Sequence, residues 1–224
     1  MPNDTTDHDT TNRFPGYDVL SKWDGPSWND QTRAVIARRL TVEPEAHRLF
    51  DDARWRTLKA VCGRIVPQPR TRAVPVPVAA LLDRRLLDDR RDGYRDARLP
   101  PIAEAWRRGL AALDAESRRA HDRPFHDLPP DRQDALLRAM QDGRLDDPAW
   151  DGMPSGLFFS SRLLPDILEA YYSHPTAWNE IGFGGPASPR GYVRMGFDRR
   201  DPWEASEAKP GREAVAREEN RRVR

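Results

Sequence analysis

"PEAHRLFDDARWRTLKAVCGRIVP", residues 44–67, decides the fold class. Ala46, Leu49, Phe50, Ala53, Leu58, Val61, Cys62 and Ile65 recur at three- and four-residue steps, the spacing of one helical face. Pro44 is placed to open the helix, and Pro67 and Pro69 to end it. Trp55 falls beside the stripe and is expected at its edge.

The same period continues on both sides. Towards the N-terminus, Ser27 is a candidate N-cap with Asp30 as a partial capping box, and Val35, Ile36 and Leu40 give a short apolar side. Towards the C-terminus, four prolines in residues 66–77 predict a polyproline-like connector. Pro77 starts a helix with Val78, Leu81, Leu82 and Leu86 on one face, and Asp92-Gly93 marks a turn. Pro100-Pro101 starts another, with Ile102, Ala105, Trp106, Gly109, Leu110 and Leu113 sharing a face. Ala135, Leu136, Ala139 and Met140 follow Pro129-Pro130 and stop at Asp142-Gly143.

Pro154-Ser155 opens the last predicted helix, with Pro165 inside it as a kink or break and His174-Pro175 as its end. No alternating β-branched run argues for a sheet. The expectation is an all-α, irregular bundle of about six helices. It is organised as an extended or disordered arm (residues 1–26), one helical domain (27–203) and a charged tail (204–224). Phe14, Tyr17, Leu20 and Trp23 are sparse anchors in the arm, as Phe197 and Trp203 are after the glycine/proline-rich C-terminal segment.

Composition narrows the function classes. Hydrophobic residues make up 38% and charged residues 33%, so part of the chain is expected to lie outside a packed core. The net charge of +1 demands no nucleic-acid or anionic-membrane partner. Lysines are confined to Lys22, Lys59 and Lys209, a bias that a GC-rich genome explains. Cys62 is the one cysteine, which excludes an intrachain disulfide, and its place on an apolar stripe reads as core. No stretch approaches the ~18 apolar residues of a membrane span. Arg38-Arg39 is followed by no long apolar run, so a cytoplasmic location is expected, with export beside a signal-bearing partner as the alternative.

Catalytic constellations are sparse. His8, His47, His121, His126 and His174 are scattered and form no HExxH, leaving a metal site unsupported. Ser160-Ser161 lacks the G-x-S-x-G elbow. Acidic residues mostly accompany arginines, as in Asp88-Asp89-Arg90-Arg91-Asp92, and read as a salt-bridged surface. Gly182-Phe183-Gly184-Gly185-Pro186-Ala187 fits a relaxed dinucleotide fingerprint, but that motif needs a strand before it and a helix after it. His-Pro-Thr-Ala-Trp-Asn-Glu precedes it, and Pro186 and Pro189 oppose a following helix, so a structural turn is the better reading. His174 reads as a C-cap residue.

The aromatic residues Phe158, Phe159, Tyr171, Tyr172, Trp178, Phe183 and Tyr192 divide between two roles, core filling and anchors of an interaction platform. The candidate partner interface takes these together with His174, Pro175, Gly182, Gly185, Pro186 and Gly191.

Four stretches resemble the gluconate 2-dehydrogenase subunit 3 family over about residues 45–195. Trp55-Arg56-Thr57-Leu58 with residues 61–67 resembles its early helix. Asp92-Gly93-Tyr94 and the segment from Trp106 to Leu113 resemble its middle. Phe125, Asp127-Leu128 and Gln133 fit the start of the next helix. The most specific match is Tyr171-Tyr172-Ser173-His174-Pro175 with Trp178, Ile181-Gly182-Phe183, Gly185-Pro186 and Pro189-Arg190-Gly191-Tyr192. The resemblance implies a small accessory subunit without catalytic, metal or cofactor-binding residues of its own. Its partner would be a large flavoprotein of the glucose-methanol-choline type, which carries FAD, oxidises a sugar, sugar acid or polyol, and in some complexes passes electrons to a cytochrome c subunit. A helical scaffold with an unrelated partner is the alternative, and a stand-alone cofactor-binding enzyme is the third reading.

Overall fold

The computed structural model describes residues 12–70, 72, 74–88, 93, 95–187, 191, 196 and 200–223. Its α-helices are α1 (Asp30–Leu40), α2 (Asp52–Ile65), α3 (Val78–Leu87), α4 (Ile102–His121), α5 (Pro130–Gln141), α6 (Ser155–Phe158), α7 (Leu164–Tyr172), α8 (Pro175–Ile181) and α9 (Glu213–Arg221). No β-strand occurs among the described residues, and the fold class is all-α. No helix among them is long and apolar enough to cross a membrane. Where the sequence suggests one domain at 27–203 between an arm and a tail, the chain divides into two compact units. One is continuous, residues 42–173, and the other joins the chain up to Thr41 with the chain from His174 onward.

In the continuous unit, α2 begins at Asp52 and not at Pro44. The Asp51 side chain caps it by accepting from the Arg54 amide at 2.8 Å. The preceding residues do not extend the helix, because their amides have another acceptor. The buried carboxylate of Asp83, on α3, accepts from Arg48 (2.9 Å), Leu49 (3.0 Å) and Phe50 (3.3 Å). Trp55 is buried in the core, not at its edge. Its ring stacks on His47 at 4.6 Å.

The stripe predicted on α4 is buried throughout: Ile102, Ala105, Trp106, Gly109, Leu110 and Leu113. Gly109 is a socket, since a Cβ there would lie 2.4 Å from two ring atoms of Phe158. Phe158 in turn stands edge-on to Trp106, with ring centroids 5.5 Å apart. The connector before α3 folds back on itself, with the Gln68 side-chain amide both donating to Val76 O (2.9 Å) and accepting from Val76 N (2.8 Å).

The reading of acids as surface charge fails at three further positions. Asp114 accepts from Thr57 Oγ1 (3.0 Å) and the Phe125 amide (2.9 Å). Glu116 accepts from the Asp147 amide (2.7 Å) and Trp150 Nε1 (3.2 Å). Asp166 accepts from Trp106 Nε1 (2.7 Å). All three are buried. Each joins elements that apolar contact alone would leave free to slide, and hydrogen bonds to charged groups contribute about 1.5–3 kcal/mol apiece.

The predicted helix is interrupted just before Pro165, as expected. The segment Phe159–Leu163 widens into a π-turn, and α7 starts immediately after it with Pro165 in its first turn, where no backbone donor is required.

The discontinuous unit holds α1, α8, α9 and the segments around them. Asn29, not Ser27, caps α1, accepting from the Thr32 amide at 2.9 Å. Its core is Tyr17, Val19, Trp28, Ile36, Trp178 and Val223. Residues 12–26 are therefore folded in, with a 3-10 turn at Val19–Lys22, and the expected charged tail contains α9. That helix is legible only in hindsight, because Ala216 and Asn220 are its sole buried residues.

Candidate functional site

Residues 174–187 form the candidate site. His174 does not end a helix but starts one. Its backbone is extended (φ −96°, ψ 136°), and Nδ1 accepts from the Thr176 amide at 3.3 Å. Pro175 takes the first helical position, where its fixed φ fits and its missing N–H is no loss. A His-Pro pair thus serves as an N-cap followed by proline.

The seven residues of α8 turn three side chains to specific tasks. Trp178 enters the core. Asn179 Oδ1 accepts from the Val19 amide at 2.8 Å, fixing the N-terminal segment alongside α8. Ile181, the last residue, is 47% exposed. Gly182 then adopts φ +66°, and the Phe183 amide returns to Trp178 O at 3.0 Å, closing the helix in a Schellman-type turn.

The glycines of the loop have distinct structural roles. A Cβ on Gly182 would lie 2.5 Å from the Phe14 ring. Gly185 has φ +72°, and its Cβ would lie 3.0 Å from the Trp28 indole and 3.1 Å from that of Trp178. Gly184 is less constrained, its Cβ meeting only Lys22 Nζ at 3.0 Å. The carbonyls on this side accept bonds from the N-terminal segment. Tyr17 Oη donates to Phe183 O and Lys22 Nζ to Gly184 O, both at 3.4 Å. Lys22 is fully buried, with its ammonium 5.7 Å from the centroid of the Tyr17 ring. Burial, and secondarily the Asp18 carboxylate, pushes the Tyr17 hydroxyl above its ordinary pKa, so it stays a neutral donor. A helix, not a strand, precedes the loop, and the arrangement is a tight turn over two indoles.

The predicted interface residues separate accordingly. Phe158, Phe159 and Tyr171 are inside the continuous unit, the last accepting from Arg72 Nη1 at 3.3 Å. His174, Pro175, Trp178 and Gly185 are buried as well. Gly182, Pro186 and Gly191 are half-buried. Phe183 (38%) and, on the other unit, Tyr172 (43%) expose their rings. Tyr192 lies outside the described residues.

Sequence reasoning missed Lys22, Trp28 and Asn179 as loop supports, and Ile181 as the second exposed apolar side chain. Lys22 carried a signal, being one of three lysines and flanked by Tyr17 and Trp23.

The continuous unit also has an open cavity of about 620 Å³ bordered by Arg98, Asp146, Asp147, Asp151 and Ser160. Its carboxylates are engaged. Asp146 pairs with Arg119 (3.1 Å), Asp151 with Arg108 (2.9 Å), and Asp147 caps the Ala149 amide (2.9 Å). Among the described residues no group of three or more His, Cys, Asp and Glu side chains is placed to hold a metal ion.

Residues 52–185 match the family model described as gluconate 2-dehydrogenase subunit 3, which is more than half of the chain. The match begins at the first residue of α2 and ends at Gly185, the glycine packed against the two indoles. No curated protein and no solved structure matches the chain.

Proposed function

Because the chain belongs to the gluconate 2-dehydrogenase subunit 3 family, we propose that it is a non-catalytic small subunit that binds and stabilises a large dehydrogenase subunit. On this reading the partner is a FAD-dependent flavoprotein of the glucose-methanol-choline type acting on a sugar, sugar acid or polyol. This chain itself binds no cofactor. The observation that carries the proposal is where the family match ends, at a loop whose glycines pack on buried aromatic rings while Ile181 and Phe183 stay exposed on either side of Gly182. A rigid turn presenting apolar side chains fits the anchor of a subunit interface, where aromatic residues are enriched and buried at the centre of the contact.

The test is co-expression of this chain, tagged, with a large flavoprotein dehydrogenase encoded beside it. A yellow complex of fixed stoichiometry is expected, and Phe183→Ala with Ile181→Ser should lower its recovery without changing the KM of what is recovered. Recovery of the tagged chain alone and colourless overturns the proposal. A wholly different co-purifying partner would favour the scaffold reading.

A further inference from the structure

We propose that α9 is a clasp that sets the order of the loop at 182–187, with Asn220 as its positioning residue. The inference rests on the interface reading above for its functional meaning, but its physical content stands apart from it.

The contacts run in one direction across the discontinuous unit. Asn220 is buried, and its Nδ2 donates to Pro15 O (3.0 Å) and Ser206 O (2.9 Å) while Oδ1 accepts from the Ser206 amide (2.6 Å). Gly16 lies against the same helix, where a Cβ would sit 3.1 Å from Arg217 Cγ. Val223, just past α9, is in the core with Tyr17, Val19 and Trp178, and its carbonyl accepts from Ser21 Oγ at 2.8 Å. The stretch held in this way then supports the loop through Tyr17, Val19 and Lys22, by the bonds to Phe183 O, Asn179 Oδ1 and Gly184 O.

The clasp is also poorly able to stand alone. Nine residues are fewer than the ~12–15 an isolated helix needs, and only Ala216 and Asn220 of α9 are buried. Such an element opens locally at far lower free energy than a packed core helix. When it opens, the N-terminal segment loses its outer wall, and the loop loses the donors that orient its carbonyls. Presentation of Ile181 and Phe183 is then conditional on closure.

Amide hydrogen exchange on the full chain tests this, comparing wild type with Asn220→Ala and Asn220→Asp. Asn220→Asp keeps the acceptor for the Ser206 amide and loses the donors to Pro15 and Ser206. Both variants are expected to raise exchange at least tenfold in 213–223, 13–22 and 178–187 together, leaving α4 unchanged. A rise confined to 213–223, or one that spreads equally to α4, overturns the clasp. If Asn220→Ala does not fold, Val223→Ala is read by the same criterion. Capture of the flavoprotein should fall in step with loop exchange, and undiminished capture by a variant with a loosened loop overturns the link to presentation. Failure of the wild type to capture a flavoprotein removes the interface reading and leaves the exchange result to decide the clasp.

Discussion

Gly185→Ala separates a packed turn from a phosphate-binding loop. At φ +72° an alanine incurs about 1–2 kcal/mol of left-handed strain. Its Cβ would also stand 3.0 Å from Trp28 and 3.1 Å from Trp178, where carbon atoms prefer about 3.5–4.0 Å. Both indoles are buried, so relief requires moving the core, and overpacking of this kind costs about 1–3 kcal/mol. The discontinuous unit should therefore lose about 2–5 kcal/mol. Gly184→Ala is the matched control. Gly184 is not in the left-handed region, and its new methyl meets a single side-chain atom, the buried Lys22 Nζ, so the loss should be smaller, about 1 kcal/mol. Pulse proteolysis along a urea series, with fragments read by mass spectrometry, reports the two units separately. With a slope of about 1–3 kcal/mol per molar urea, Gly185→Ala should lower the midpoint for 175–187 by about 1 M or more and leave α4 where it was. In a dinucleotide fingerprint the glycine of close approach would be Gly184. Equal damage from the two substitutions, or greater damage from Gly184→Ala, would refute the reasoning.

Gly109→Ala should destabilise the continuous unit by about 1–2 kcal/mol in urea unfolding. Helix propensity alone predicts a gain of about 1 kcal/mol, so the sign decides whether the Phe158 socket matters, and Phe158→Leu in the same chain should recover part of the loss. Burial pushes the Cys62 thiol up to about 12, so a disulfide reagent at pH 8 should label no thiol in the native protein and one after denaturation. Asp134 is held below the usual carboxylate range by its two 2.6 Å bonds from Arg64. A lowered folded pKa stabilises above the unfolded value of about 3.9, and that contribution is lost as pH falls through the folded value. Asp134→Asn should thus cost about 0.5–1 kcal/mol at pH 7, after allowance for partial exposure of the pair, and the gap to wild type should close below about pH 4 in urea midpoints.

The long amphipathic elements were legible because burial imposes a period on them. The α4 face is the clearest instance, six predicted positions all inside. What was not legible depends on partners remote in sequence. Nothing local distinguishes Asp83 from a surface acid, since the amides it accepts from lie more than thirty residues earlier. The start of α2 was misplaced for the same reason. His174-Pro175 was read as an end because proline forbids continuation of the preceding helix, although the pair serves equally well to begin the next. In the candidate site the sequence did not separate buried from exposed residues. Trp178 and Gly185 look like interface residues by composition, yet only the N-terminal partners Trp28 and Lys22 reveal that they face inward and leave Ile181 and Phe183 outside.

The discontinuous unit also imposes a schedule on synthesis. Residues 42–173 contain every segment of their own unit and can fold while the rest is still being made. The other unit cannot close until translation has passed Val223, because that residue sits in its core and Asn220 bonds to Pro15, 205 positions earlier. Until then Trp28 and the anchors around it wait without their cover. The nascent chain is therefore an aggregation risk at its N-terminal end and mature at its centre. The turn at Gly182 thus gains its N-terminal supports in full only once the segment carrying Asn220 and Val223 has been made.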